Sequence, residues 1–257
     1  MSETPWRVLD AELERWAALG LTPQFWLRDD DAVDATDSLD RLLSLCAKYR
    51  IPLALAVIPA GATVQLAQRL QGLEDVSVLQ HGFAHANHAV GGEKKSEFAE
   101  NRPLDVMTGE LVQGRATLSG LFGDAALPVL APPWNRVGAG LVARLADAGL
   151  SGLTRYKARA VHQPAPGVVE NNTHVDLIRW RDGRTGAALA DMTTGLAAHL
   201  AAKRTGAADA QEATGILAHH LAMDRTAWAT LKALLAKLAT DPRISWPSPV
   251  AIFGAKA

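Results

Sequence analysis

The residues best suited to chemistry in this chain are an acidic run, Asp29-Asp30-Asp31, and the histidine and aromatic groups that follow it. His81-Gly82-Phe83-Ala84-His85 places two imidazoles four residues apart. On a helical turn that spacing brings both rings to one side, at a separation one metal ion bridges. Two imidazoles and one carboxylate leave coordination positions open for water and substrate, which a hydrolytic metal requires. The acidic triplet is the readiest source of that carboxylate. The zinc-protease helix is excluded, because it needs Glu directly after the first His and Gly82 stands there.

Each group also has a plain structural reading. The histidine pair reads equally as partly buried or surface imidazoles. An acidic run after a strand reads as a solvated turn or a helix start, although adjacent carboxylates repel and call for a cation, either Arg28 or a divalent metal. His219-His220 closes the apolar stretch Gly215-Ile216-Leu217-Ala218 and offers either a hydrogen-bonded core histidine or a general acid, since an imidazole protonates near neutral pH. A carboxylate such as Asp176 would raise that pKa by proximity. Trp134, behind Pro132-Pro133, is a rigidly presented aromatic: a core tryptophan at a turn, or a platform for a flat apolar face such as a sugar ring.

The elements that must carry these groups can be read from the hydrophobic pattern. The chain has 257 residues, 48% hydrophobic and 21% charged, with a formal net charge of -1. That balance gives no reason to expect a nucleic-acid surface or an anionic membrane as the main partner. The single cysteine, Cys46, excludes an internal disulfide and fits a reducing compartment. The N-terminus lacks a basic start and an apolar leader, and the longest apolar stretch, 51–60, is broken by Pro52 and Pro59; a cytoplasmic location is expected.

After a first helix over 8–19, short apolar runs alternate with amphipathic stretches. Strands are expected at 25–27, ending in an acidic turn, and at 52–58, 76–79, 127–130, 152–156, 175–180 and 214–220, with a loop over 158–172. Helices are expected over 39–45, 64–73, 105–121, 141–150 and 187–203, and one opening at Asp224 as N-cap. Strands alternating with helices imply a parallel sheet covered by helices, closed or nearly so, and no linker divides it: one domain over 1–257, with its chemistry at the C-terminal ends of the strands within about 25–223.

Taken in order, these pieces resemble the polysaccharide deacetylase pattern (NodB homology, carbohydrate esterase family 4). Its Thr-Phe-Asp-Asp-Gly motif is met by Leu27-Arg28-Asp29-Asp30-Asp31-Ala32, its His-Ser/Thr-x-x-His by His81 to His85, and its Arg-x-Pro-aromatic by Ala131-Pro132-Pro133-Trp134. Asp176 and Trp180 are candidates for its Asp and Trp, and Leu217-Ala218-His219-His220 matches its Leu-x-x-His.

The resemblance implies an α/β fold, a distorted (β/α) barrel, and hydrolysis of an N-acetyl or related amide on a sugar or small amide substrate. It implies one divalent metal ion, zinc in the first place, with cobalt or nickel as alternatives, held by Asp31, His81 and His85. Asp30 becomes the general base, though Asp29 and Asp30 fit the base and ligand positions nearly as well, because alternation along the strand does not separate them if the strand ends inside the triplet. His220, or else His219, becomes the general acid assisted by Asp176; a backbone N–H near Trp134 supports the oxyanion; Pro133, Trp134, Asn135, Arg136 and Trp180 contact substrate. Ala131 departs from the pattern's arginine, with Arg136 or Arg28 as replacements, and the glycine after the acidic pair is missing. The same donor set suits Fe(II) chemistry, and a non-catalytic carbohydrate-binding barrel is the third reading. No nucleic-acid partner or membrane insertion is expected.

Overall fold

A computed structural model describes residues 5–254; the first four residues, on which the reading of the leader partly rests, lie outside it. Among the described residues the strands are β1 (Phe25–Ala32), β2 (Leu53–Val57), β3 (Val76–Gln80), β4 (Ala126–Leu130), β5 (Gly152–Leu153), β6 (Val169–Glu170), β7 (Val175–Asp176), β8 (Ile178–Arg179), β9 (Thr185–Gly186) and β10 (Thr214–Ala218). The helices are α1 (Arg7–Ala18), α2 (Asp37–Tyr49), α3 (Val64–Leu70), α4 (Leu104–Phe122), α5 (Ala139–Val142), α6 (Leu189–Arg204), α7 (Arg225–Leu238) and α8 (Pro249–Phe253). Eight strands form one parallel sheet in the order β6-β5-β4-β3-β2-β1-β10-β7, while β8 and β9 make a separate antiparallel hairpin. The sheet curls without pairing β6 to β7: a distorted, open (β/α) barrel.

Local chemistry explains the framework. Thr36 caps α2 by accepting the Leu39 N–H, and Leu39, Leu42, Leu43 and Cys46 then recur at helical spacing on its buried face. Asp224 caps α7 in the same way through Ala227. β2 is buried throughout, as a central parallel strand must be. Its outward residues Leu53, Leu55 and Val57 join the sheet–helix core with Leu27, Ile216 and Ala218. Inside the barrel, small Ala54 and Ala56 leave room for Trp26, with Leu79, Leu127 and Val129 around it. No described helix is long and apolar enough to cross a membrane.

Four expectations are corrected. β1 does not stop inside the acidic triplet but runs on to Ala32. The stretch 141–150 is the short α5 followed by a 3-10 turn, Ala146–Ala148, instead of one helix, and Gly149 ends that turn in left-handed conformation. The expected strand 175–180 splits, β7 pairing with β10 and β8 turning away into the hairpin. Finally, β5 ends at Leu153, and the loop 158–172 contains β6.

Candidate metal centre and active site

Alternation along β1 gives each aspartate of the triplet a different direction. Arg28 and Asp30 share the inner face with Trp26, and Asp29 lies on the outer face, in register with Leu55 of β2 and Ala218 of β10. Between Asp29 and Ala32, β1 advances three residues while β2 advances two, a bulge at which Asp31 takes a φ of 76°. A bulge re-aims side chains. Here it lets Asp31 join the mouth of the barrel beside Asp30, in spite of their being neighbours in sequence.

Asp31 meets both histidines. Its Oδ1 lies 3.0 Å from His81 Nε2 and 3.3 Å from His85 Nε2. His81 Nδ1 donates to the Ala131 carbonyl at 2.8 Å, which orients the ring so that Nε2 faces the Asp31 carboxylate. Burial opposes charge on Asp31, but hydrogen bonding from His81 and the charges of His81, His219 and His85 outweigh it and hold its pKa far below the usual range. Burial and the charge of His81 lower the pKa of His85. Tetrahedral bonds near 2.1 Å set donor atoms roughly 3.4 Å apart, so these three donors fit a divalent cation.

The pair is not on a helical turn, contrary to the expectation from its spacing. Gly82 and His85 both adopt positive φ (61° and 55°), and the irregular loop between them turns the second ring back toward the first, with centroids 5.2 Å apart. The loop is shaped by Glu97, a buried carboxylate that accepts the N–H groups of Phe83 and Ala84 at 3.1 and 2.7 Å. Nothing in the sequence separates Glu97 from the other acids of its polar loop, so this residue was missed.

Asp30 is 2% exposed and clamped by Arg28, with Nε to Oδ1 and Nη2 to Oδ2 both 2.9 Å. Arg28 is held in turn by Thr154 Oγ1 (2.8 Å), the Arg155 carbonyl (3.2 Å) and Asn135 Oδ1 (2.7 Å). His219 stands across the site, its Nε2 4.0 Å from Asp30 Oδ2 and its Nδ1 3.8 Å from Asp176 Oδ1. Trp180 donates from its indole to Asp176 at 2.9 Å and sets its ring edge-on to His219 at 4.8 Å, while remaining 41% exposed. Burial raises the pKa of Asp176 against the opposing charge of His219.

His220, the first choice for general acid, is 1% exposed and faces Asp29, not Asp176. The geometry therefore places His219, not His220, beside Asp30 and Asp176, because consecutive residues leaving β10 point to opposite faces. Pro133 is buried; Trp134 and Asn135 carry positive φ, and the Trp134 ring packs 4.4 Å from that of His85. Arg136 reaches the Lys95 carbonyl and makes no recorded contact with Asp30, so it does not take the missing arginine's place. An open cavity of about 420 Å³ adjoins Asn135 and Arg155 and is lined further by Glu93, Glu100 and Arg136.

No family model and no curated protein matches the sequence. Solved structures do. A family 4 carbohydrate esterase from Streptomyces lividans, in complex with acetate, aligns with a TM-score of 0.56 at 16% identity, covering 86% of this chain and 90% of that one. A family 4 acetyl xylan esterase from Clostridium thermocellum, in complex with a cobalt ion, gives 0.54 at 13%, covering 90% of each. A peptidoglycan N-acetylglucosamine deacetylase with a naphthyl N-hydroxybenzamide gives 0.58 at 15%, covering 91% and 90%.

The fold is that of the family 4 carbohydrate esterases.

Against that fold's motif pattern, two departures in this chain acquire a physical explanation. Ala131, at the arginine position, is fully buried on the inner wall, and the guanidinium that grips Asp30 comes from Arg28 on β1 instead. Gly82 stands at the Ser/Thr position because a Cβ there would lie 1.9 Å from Glu97 Oε2; the Glu97 carboxylate fills the space of the missing side chain.

A second group, His174, His199 and Glu212, also brings three potential ligands within 4.8 Å. It differs from the first in two respects. The Gly215 N–H donates to His174 Nδ1 at 2.9 Å, so the neutral ring carries its proton on Nε2, toward Glu212 at 3.3 Å. The His174 and His199 rings are also stacked, 3.4 Å apart and 18° from parallel, so their in-plane lone pairs run side by side and do not converge on one point. This group lies at the N-terminal end of β10, the opposite end of that strand from His219. It is a buried polar knot around Glu212, which also accepts the N–H groups of Arg159 and Asn172.

Proposed function

We propose that the protein is a metal-dependent hydrolase that removes an N-acetyl or related acyl group from the nitrogen of a sugar or small amide substrate. One observation carries the reading: Asp31, His81 and His85 converge at one end of the site, with the arginine-held Asp30 and His219 beside them. Asp31, His81 and His85 would hold one divalent cation, zinc by preference for two imidazoles and a carboxylate, with cobalt or nickel as substitutes. Such an ion, when bound, supplies Lewis acidity and makes a bound water acidic enough to react near neutral pH.

The chain's own groups do the rest. Asp30, oriented by the two-pronged Arg28 contact, accepts the proton of the attacking water. His219 donates a proton to the departing amine, with Asp176 and the edge of the Trp180 ring on its far side. Trp134 and Trp180 offer aromatic faces to a sugar ring. The open cavity beside Asn135, whose Oδ1 accepts from Arg28, is a candidate place for the substrate beyond the scissile group.

The test is acetate release from N-acetylated amino sugars and short N-acetylated glycans, by protein loaded with zinc, cobalt or nickel. Turnover by the loaded protein and a fall of at least about 100-fold in Asp30→Asn, with the ion retained, is the expected result. No acetate from any substrate with any of the three ions would overturn the reading.

A further inference from the structure

We infer that Asp29 is a positioning residue, acting through His220 to hold the His219 imidazole in the site. The kinetic consequences rest on the hydrolase reading; the geometric ones do not.

Asp29 is the member of the triplet that the proposed chemistry leaves unused. It points away from the barrel mouth into the sheet–helix layer, at 0% exposure, where burial and Asp29 together push the Cys46 thiol of α2 up to about 12. Both carboxylate oxygens go to one residue. Oδ2 accepts the backbone N–H of His220 at 2.8 Å, and Oδ1 meets His220 Nδ1 at 2.5 Å. Asp29 pairs in register with Ala218, the last residue of β10, and so reaches just past the strand end to grip the peptide that follows His219. The His219 carbonyl is fixed as well, by the Ala222 N–H at 2.8 Å.

His219 needs this help. Its Nδ1 has no hydrogen-bond partner, and its approaches to Asp176 and Asp30 are 3.8 and 4.0 Å, too long to lock a ring. Its placement is inherited from its backbone and from the edge contact with Trp180. Stability alone does not call for Asp29 and His220, because a buried ion pair is often no more stable than a well-packed apolar pair of similar volume. The deacetylase motif itself carries Phe at the position of Asp29. What an apolar pair cannot do is grip the residue after His219 at two points, its peptide N–H and its ring Nδ1.

The decisive variant is Asp29→Leu with His220→Phe, which replaces the pair by apolar bulk; Asp29→Ala, which removes both contacts to His220 and carries the same expectations, serves if the double variant does not fold, and Asp29→Asn, which keeps an acceptor for the His220 N–H, is the conservative control. In the crystal structure of the double variant, the His219 ring is expected to move by more than about 1 Å from its place against Asp176, a displacement large against ordinary side-chain motion. With one metal ion per chain retained, kcat on an N-acetyl substrate should fall about 100-fold with little change in KM, the scale of a lost general acid. Hydrolysis of 4-nitrophenyl acetate, whose leaving group departs without a proton, should be spared, and Asp29→Asn should recover much of the loss. A His219 ring that stays in place, or equal losses on amide and activated ester, would overturn the inference. If the native protein hydrolyses neither substrate, the hydrolase reading fails, and the crystal structure still decides the role of Asp29.

Discussion

Arg28 and Asp30 are two residues apart on one strand and bonded to each other through both guanidinium and carboxylate edges, at 2.9 Å on each side. Side chains at i and i+2 of a strand share a face, so β1 supplies both the acid and the cation that holds it. The inner wall opposite is thereby free to carry Ala131.

This relationship predicts that Arg28→Lys, which keeps the charge but not the fork, lowers kcat by about 10-fold to 100-fold. Arg28→Ala should do worse, because Asp30 is then a buried charge without its partner, at a cost of roughly 3–5 kcal/mol. Arg136→Ala should leave kcat within about threefold, since Arg136 is bonded to the Lys95 carbonyl and not to the base. Steady-state kinetics with thermal melts on the three variants checks all of this.

The two His-His-carboxylate groups should behave oppositely toward metals. Elemental analysis is expected to give one divalent ion per chain, lost in His81→Ala and Asp31→Ala and retained in His174→Ala. Two ions per chain, with one lost in His174→Ala, would contradict the tautomer that the Gly215 N–H imposes on His174.

Gly82 and Glu97 should be coupled. Gly82→Ser alone is expected to destabilise by more than about 1 kcal/mol, from positive φ and from the clash with Glu97 Oε2. Glu97→Ala alone removes the shared acceptor of the Phe83 and Ala84 N–H groups, part-buried bonds worth about 1 kcal/mol each. The double variant should be less damaged than the sum of the two, which a double-mutant cycle by urea denaturation measures.

Acid should loosen the knot around Glu212. Burial pushes the pKa of His174 down to about 4, against its ordinary 6.5, with the charge of its neighbour His199 adding to the shift. The native state therefore binds fewer protons than the unfolded chain between those values. The stability from a neutral His174 is complete above about pH 6.5 and is lost as pH falls toward 4, amounting to about 3 kcal/mol. Glu212, held low despite burial by hydrogen bonds from His174 and His199, adds a further loss below about pH 4.5. Urea midpoints from pH 7.5 to 4 should fall accordingly in the native protein and more shallowly in His174→Gln.

The sequence by itself determined the alternation of strands and helices, the parallel sheet and the five places where strand ends carry reactive side chains. Those follow from local periodicity and from the rule that such sheets do their chemistry at the C-terminal ends of strands. A candidate metal site was legible in an acidic run closing β1 and a His-x-x-x-His pair following β3. The division of labour within Asp29-Asp30-Asp31 was not, because it depends on a bulge that appears only when β1 is laid against β2. Nor was the choice between His219 and His220, which differ only in the face each turns to, one to Asp176 and the other to Asp29. Glu97 and Thr154 are 11 or more residues from the groups they support, and no local pattern marks a residue whose partner is brought in by the closing of a barrel. Periodicity reports which side of an element is apolar; only the packed strands decide which polar groups on that side meet.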